Sequence, residues 1–249
     1  MADDALLVAS GLGRRFGGLA AVDAVSIELR VGQIHAVIGT NGAGKSTLVN
    51  LLSGELPPSE GTIHLGPDEI TRWSQPRRAR AGVGRSYQRN TIYPTFSVFE
   101  NCRLAAQAAH QRPWFWWQDA RRHAPTAEAA RTAAARAGLD DLRDRTAGLL
   151  SHGQKRQLEI ALCLATGPQV LLLDEPLAGM GAEETERMLS LLDELRPGHA
   201  ILLVEHDMDA VFRIADRITV MVNGAVIASD TPEAVRVDPD VQAAYLGGH

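Results

Sequence analysis

The chain has 249 residues, enough to bury a full core in one large domain, and a formal charge of −5 with its arginines spread along the sequence, which argues against a basic stripe for nucleic acid. Its apolar runs are far too short to span a bilayer, and the acidic start Met1-Ala2-Asp3-Asp4 lacks the basic segment of a secretory leader. Cys102 and Cys163 stand far apart without metal-ligand spacing, as expected of a chain kept in a reducing cytosol.

Residues 33–38 read as a short buried strand and residues 46–52 as a helix. Between them runs Gly39-Thr40-Asn41-Gly42-Ala43-Gly44-Lys45-Ser46-Thr47. This is the phosphate-binding pattern G-x-x-x-x-G-K-[ST] in the strand–turn–helix context it needs. Lys45 is one of only two lysines in a chain that otherwise uses arginine. An ammonium is a compact point charge, whereas guanidinium is a wide planar fork, so a narrow phosphate cradle accepts the first. The loop N–H groups and the helix start suit phosphate oxygens. Lys45 is placed to reach the β- and γ-phosphates, and Ser46 to offer its hydroxyl to Mg²⁺. Taken alone, the loop is also compatible with a glycine-rich turn and a solvated lysine.

Residues 98–112 and 126–146 are rich in Ala, Leu and Arg with no strand pattern, and predict helices. Residues 158–165 are helix-like, with Ser151 a plausible N-cap upstream. Residues 170–175, Val-Leu-Leu-Leu-Asp-Glu, read as a buried strand of a parallel sheet, whose C-terminal end is where ligands bind. Asp174 is the candidate to hold Mg²⁺, and Glu175 to polarise a water attacking the γ-phosphate. The alternative is a strand ending in a solvated acidic turn. Residues 218–228 predict a hairpin closed by a type I′ turn at Asn223-Gly224. A helix over 238–246 follows.

Leu150-Ser151-His152-Gly153-Gln154-Lys155-Arg156-Gln157 resembles the LSGGQ signature of ATP-binding-cassette (ABC) ATPases, and it precedes the Asp174-Glu175 strand as in that family. Gln88, in Gly84-Arg85-Ser86-Tyr87-Gln88, resembles the Q-loop glutamine that contacts Mg²⁺ and the attacking water. His206, closing 200–206, resembles the switch histidine that contacts the γ-phosphate, although a lone histidine at a strand end is more often structural. Phe16 occupies the place of the aromatic that stacks on adenine; a core phenylalanine is the competing reading. The resemblance implies a RecA-like α/β P-loop NTPase core with an antiparallel β subdomain near the N-terminus. It further implies one ABC ATPase domain over 1–249, in which a helical subdomain at about 90–165 carries the signature. It implies ATP and Mg²⁺ as cofactors, with Ser46, Gln88 and Asp174 toward the metal and Lys45, Gln88, Glu175 and His206 toward catalysis. It also implies a head-to-tail pair, a homodimer or a heterodimer with a related ABC ATPase. There Ser151, Gly153 and Gln154 act on the ATP of the other subunit. Two positions depart from the family pattern: His152 stands at a signature glycine, and Gly181 stands where the D-loop usually has Asp.

Finer similarity points to the ATPases of branched-chain amino-acid importers, the LivG-like group. It is carried by Phe16-Gly17-Gly18-Leu19-Ala20-Ala21-Val22-Asp23-Ala24-Val25-Ser26, by Phe96-Ser97-Val98-Phe99-Glu100-Asn101 after the Q-loop segment, by Leu203-Val204-Glu205-His206-Asp207-Met208, and by Ala244-Tyr245-Leu246-Gly247-Gly248. The resemblance implies a peripheral subunit at the cytoplasmic face of the inner membrane. It would dock on integral permease subunits, serve a solute-binding protein indirectly and bind no nucleic acid. A non-transport ABC ATPase or an exporter subunit is the alternative. Trp114-Phe115-Trp116-Trp117 suits either a buried core or the membrane partner and its interfacial lipid.

Overall fold

The computed structural model describes residues 5–86, 92–110 and 123–246. Gln88 and the Trp114–Trp117 cluster lie outside the described residues. Strands β1 (Ala5–Phe16) and β2 (Leu19–Arg30) form a long antiparallel hairpin. Strand β3 (Gln33–Gly39) then enters a second sheet and runs through the glycine loop into helix α1 (Lys45–Ser53). Strands β4 (Glu60–Leu65) and β5 (Asp68–Glu69) return to the first sheet, giving the antiparallel order β2-β1-β4-β5. Helix α2 (Gln75–Arg80) and strand β6 (Val83–Arg85) follow, then helices α3 (Val98–His110), α4 (Ala124–Arg136) and α5 (His152–Leu164). The chain re-enters the second sheet at β7 (Val170–Asp174), crosses α6 (Ala182–Leu195) to β8 (Ala200–Val204), and crosses α7 (Met208–Ile214) to β9 (Arg217–Val222). Strand β10 (Ala225–Asp230) and helices α8 (Pro232–Val237) and α9 (Pro239–Leu246) complete it.

The second sheet has the order β10-β9-β3-β8-β7-β6, parallel except where β10 folds back on β9. Strands buried on both faces carry continuous apolar runs, and β7 and β8 are buried at every position. Their side chains alternate between two cores, as the two-residue period of a strand requires. Leu171, Leu173, Ile201 and Leu203 pack with α3, α4, α5 and α6. Leu172, Leu202 and Val204 face Leu48, Leu51 and Leu52 of α1 and the inner side of the antiparallel sheet.

The helix predicted over 126–146 ends at Arg136. Gly138 adopts φ +71°, a left-handed turn that stops an α-helix, and only short 3₁₀ turns at Asp140–Leu142 and Ala147–Leu149 follow. The helix predicted over 158–165 begins earlier, at His152, because Ser151 caps it. The Asn223-Gly224 turn has positive φ at both residues, +49° and +87°, as a type I′ turn demands.

Candidate active site

The glycine loop is shaped by close approach. A Cβ on Gly44 would lie 2.1 Å from the Ala21 carbonyl oxygen, and Gly44 has φ +98°; only glycine fits there. At Gly39 a Cβ would lie 2.2 Å from the Met221 carbonyl oxygen. The start of β2 and the end of β9 with its turn into β10 therefore wall the loop. Gly224 N–H donates to the Ala43 carbonyl at 3.1 Å, and Asp23 N–H to Gly224 at 2.9 Å.

Lys45 is nearly buried, and its ammonium donates to the carbonyls of Gly39 at 2.7 Å and Thr40 at 3.1 Å. Burial lowers its pKa, opposed by the charges of Glu175 and Asp174. A cleft of about 570 Å³ is lined by Phe16, Asn41, Gly42, Ala43, Gly44, Lys45, Ser46, Thr47, Glu175 and Asn223, together with Leu19, Ala20 and Ala21. Residues predicted from segments far apart in sequence thus share one cavity. Phe16 is 45% exposed at its rim with the Arg14 guanidinium 5.0 Å from its ring centroid, so it is not a core residue.

Strand β7 ends on two adjacent carboxylates: Glu175, just past it, lines this cleft, whereas Asp174 is not among the lining residues. Asp174 is 3% exposed, and neither of its carboxylate oxygens has a hydrogen-bond partner among the described residues. The Arg85 guanidinium approaches at 3.9 Å. Burial pushes the Asp174 pKa up, and Arg85 opposes it. Buried polar atoms are nearly always satisfied, so this pair of orphaned oxygens is the feature that fits a hard cation. The donor set suits Mg²⁺, which takes one or two protein oxygens and completes its shell with phosphate and water. Glu175 follows with φ +53°, a left-handed backbone uncommon outside glycine. The strand therefore ends there, and the chain turns back with Ala178 N–H on the Glu175 carbonyl at 3.2 Å.

The signature residues stand elsewhere in the chain. Ser151 caps α5 with a full capping box: Gln154 N–H donates to Ser151 Oγ at 3.2 Å, and Ser151 N–H to Gln154 Oε1 at 3.0 Å. Ser151, Gly153 and Gln154 line a separate cleft of about 340 Å³ with Met180 and Glu184. None of its lining residues borders the Lys45 cleft. Within one chain, signature and phosphate loop are not brought together. Ser151 Oγ–H and Gly153 N–H both donate to Glu184 Oε1, at 3.3 and 3.2 Å. His152 Nε2–H donates to the Ala178 carbonyl at 3.0 Å, tying the signature to the turn after Glu175. Gly181 begins α6 as its N-cap and offers no side-chain cap. His206 stands past the end of β8 with its ring 64% exposed, outside the lining of the Lys45 cleft.

Four residues here were not read from the sequence as part of the site: Arg85 beside Asp174, Asn223 in the cleft wall, Glu184 at the signature and Glu205 before His206. Only Asn223 carried a local signal, its hairpin turn, and that signal says nothing of which loop the hairpin will touch.

Known proteins match along nearly the whole chain. The family model described as "ABC transporter" matches residues 22–178, and one described as "Branched-chain amino acid ATP-binding cassette transporter" matches residues 225–249. The chain is similar to the high-affinity branched-chain amino acid transport ATP-binding protein LivG of Salmonella typhimurium, with 42% identity covering 97% of this chain and 98% of the relative. It is 40% identical to the corresponding protein BraF of Pseudomonas aeruginosa over the same shares. A nucleotide-free crystal structure of an ATP-binding cassette from an ABC transporter superposes with a TM-score of 0.87 at 30% identity, covering 97% of this chain and 98% of that one. Its fold, its phosphate loop and these matches place the chain in the family of ABC transporter ATP-binding proteins.

Proposed function

We propose that this chain binds and hydrolyses ATP at the Lys45 cleft to power import of branched-chain amino acids or a related small solute. The observation that carries the hydrolytic reading is the convergence of the phosphate loop, Lys45 and Glu175 on one cavity, with the orphaned Asp174 carboxylate behind it. Phosphoryl transfer asks the protein mainly for positioning and for charge placed where charge develops. The loop N–H groups and the α1 N-terminus hold the phosphates, and Lys45 neutralises the transferring group. Phe16 receives the adenine face at the rim. Glu175 orients the attacking water, and His206 reads the γ-phosphate. Ser46, Asp174 and Gln88 would hold Mg²⁺, which supplies further charge neutralisation on the phosphate oxygens.

The separate signature cleft supports a head-to-tail pair, with a second copy or a related cassette, in which Ser151, Gly153 and Gln154 close over the neighbour's nucleotide. ATP favours the closed pair only through contacts absent from the open one, and loss of the γ-phosphate removes them. No helix among the described residues is long and apolar enough to cross a membrane. The energy then passes to separate permease subunits, with this chain peripheral at the cytoplasmic face and a solute-binding protein supplying the cargo. Glu175→Gln tests the chemistry. It is expected to lower turnover by about 100-fold or more while leaving a stable ATP-bound dimer in size-exclusion chromatography. A normal hydrolysis rate would remove Glu175 from the role. Co-purification with two integral membrane proteins and a solute-binding protein tests transport.

A further inference from the structure

The carboxylate of Glu205 has no part in the roles above, yet it is fully buried between the two loops that carry them. Strands β7 and β8 pair in parallel up to Asp174 and Val204, and Glu175 N–H closes the ladder on the Val204 carbonyl at 2.9 Å. Beyond that point the backbones separate. Glu205 spans the gap: Oε1 accepts Leu177 N–H at 2.7 Å, and Oε2 accepts His206 N–H at 3.2 Å. The His206 ring nitrogen Nδ1 lies 3.8 Å from the same Oε2. One donor comes from the turn after Glu175 and the other from the residue read as the γ-phosphate sensor.

The choice of a carboxylate is informative. A buried charge is costly to hold, and burial pushes this carboxyl's pKa up while the two N–H groups and His206 oppose the rise. An ionised carboxylate accepts at both oxygens, whereas an amide accepts at one and would set an NH₂ against the second N–H. Glutamate is therefore the residue that satisfies both loops at once.

We propose that Glu205 is a positioning residue that clasps the Glu175 turn to His206, holding the water-orienting carboxylate and the γ-phosphate-sensing imidazole at one fixed spacing. The proposal rests on the roles given above to Glu175 and His206. Steady-state MgATP hydrolysis by the full chain tests it with Glu205→Gln, His206→Ala and the double variant. Misplacing a reacting group by a fraction of its reach costs rate more than binding. Glu205→Gln is thus expected to lower kcat about tenfold with KM for ATP within about twofold of the parent. Because the clasp matters only as the spacing between Glu175 and the His206 imidazole, the double variant should be no slower than His206→Ala alone. Wild-type kcat in Glu205→Gln, or effects that multiply in the double variant, overturns the clasp and leaves the His206 role standing. Wild-type kcat in His206→Ala removes the role itself and the proposal with it. Amide hydrogen exchange on the unsubstituted chain keeps the test open if a variant does not fold. The Leu177 and His206 amides should slow together when a non-hydrolysable ATP analogue binds, and slowing at one alone overturns the clasp.

Discussion

At the scale of single residues, the site is governed by which group already satisfies which. Ser151 Oγ–H and Gly153 N–H converge on one oxygen of Glu184, so an anion from the same chain sits on the groups proposed to close over the neighbour's nucleotide. In the proposed head-to-tail pair, closure would replace that carboxylate with the neighbour's phosphate. In the Glu175→Gln background, Glu184→Ala is expected to lower the ATP concentration for half-maximal dimerisation about threefold, the scale of an exposed charged contact. Light scattering across an ATP titration measures it. An unchanged or raised midpoint would show that Glu184 merely props the α5 start. The thiols are quiet by comparison: Cys102 and Cys163 are buried, and burial pushes both up to about 12, leaving little nucleophilic thiolate.

At the scale of elements, α1 matters because its first residue is Lys45 and its last turn is held from outside. Arg78 of α2, 1% exposed, donates to the Leu51 and Leu52 carbonyls at 2.7 and 2.8 Å, to Thr71 at 2.9 Å and to Trp73 at 3.2 Å. The last carbonyls of a helix have no partner within it, and here a buried guanidinium supplies one; its burial lowers the Arg78 pKa to about 10. Arg78→Met removes the charge together with its donors and leaves four carbonyl groups short of them. It is expected to destabilise the fold by about 3 kcal/mol, read as a shift of the urea midpoint at constant m-value. A shift below about 0.5 kcal/mol would show that water replaces the guanidinium. The helix calls for a second lesson. Composition rich in Ala, Leu and Arg announced α3 and α4, but the stop at Arg136 came from Gly138, and the early start of α5 came from the Ser151 capping box.

At the scale of the whole molecule, one buried chain of hydrogen bonds ties the two sheets. His35 Nδ1 meets the Glu28 carbonyl at 2.9 Å, so Nδ1 carries the proton. His35 Nε2 then accepts from the Thr219 hydroxyl at 2.8 Å, and Thr219 in turn accepts from Ser229 at 2.8 Å. The chain runs from β2 through β3 and β9 to β10. Burial lowers the His35 pKa to about 4, and burial lowers that of His199 as well. A base with a depressed folded pKa stays neutral in the fold while the unfolded chain takes up a proton. Its stabilisation is complete above about pH 6.5 and is lost as pH falls toward 4. Between pH 7 and pH 4 the parent is expected to lose about 3 kcal/mol more unfolding free energy than His35→Gln. Equal losses in urea titrations would show that His35 is not the group responsible.

Local chemistry made much of the site legible in the sequence. A glycine loop must be written in glycine where carbonyls crowd it, a strand buried on both faces must be apolar, and a type I′ turn must carry residues that tolerate positive φ. The loop glycines and the Asn223-Gly224 turn follow from such constraints and Ser151 from its capping chemistry, while Lys45 was marked by the loop pattern and Asp174 and Glu175 by the apolar run they end. What the sequence could not determine is where those pieces meet. Phe16 reaches the rim of the cleft because the start of β2, just after it, packs against the β9–β10 turn, where a Cβ on Gly224 would lie 2.8 Å from the Ala20 carbonyl oxygen. Arg85 faces Asp174 because β6 pairs with β7, and Glu205 joins two loops because β7 and β8 are neighbours. Each of these is a contact across many residues of chain, set by sheet order and by which face of a strand is buried, and no local pattern encodes it.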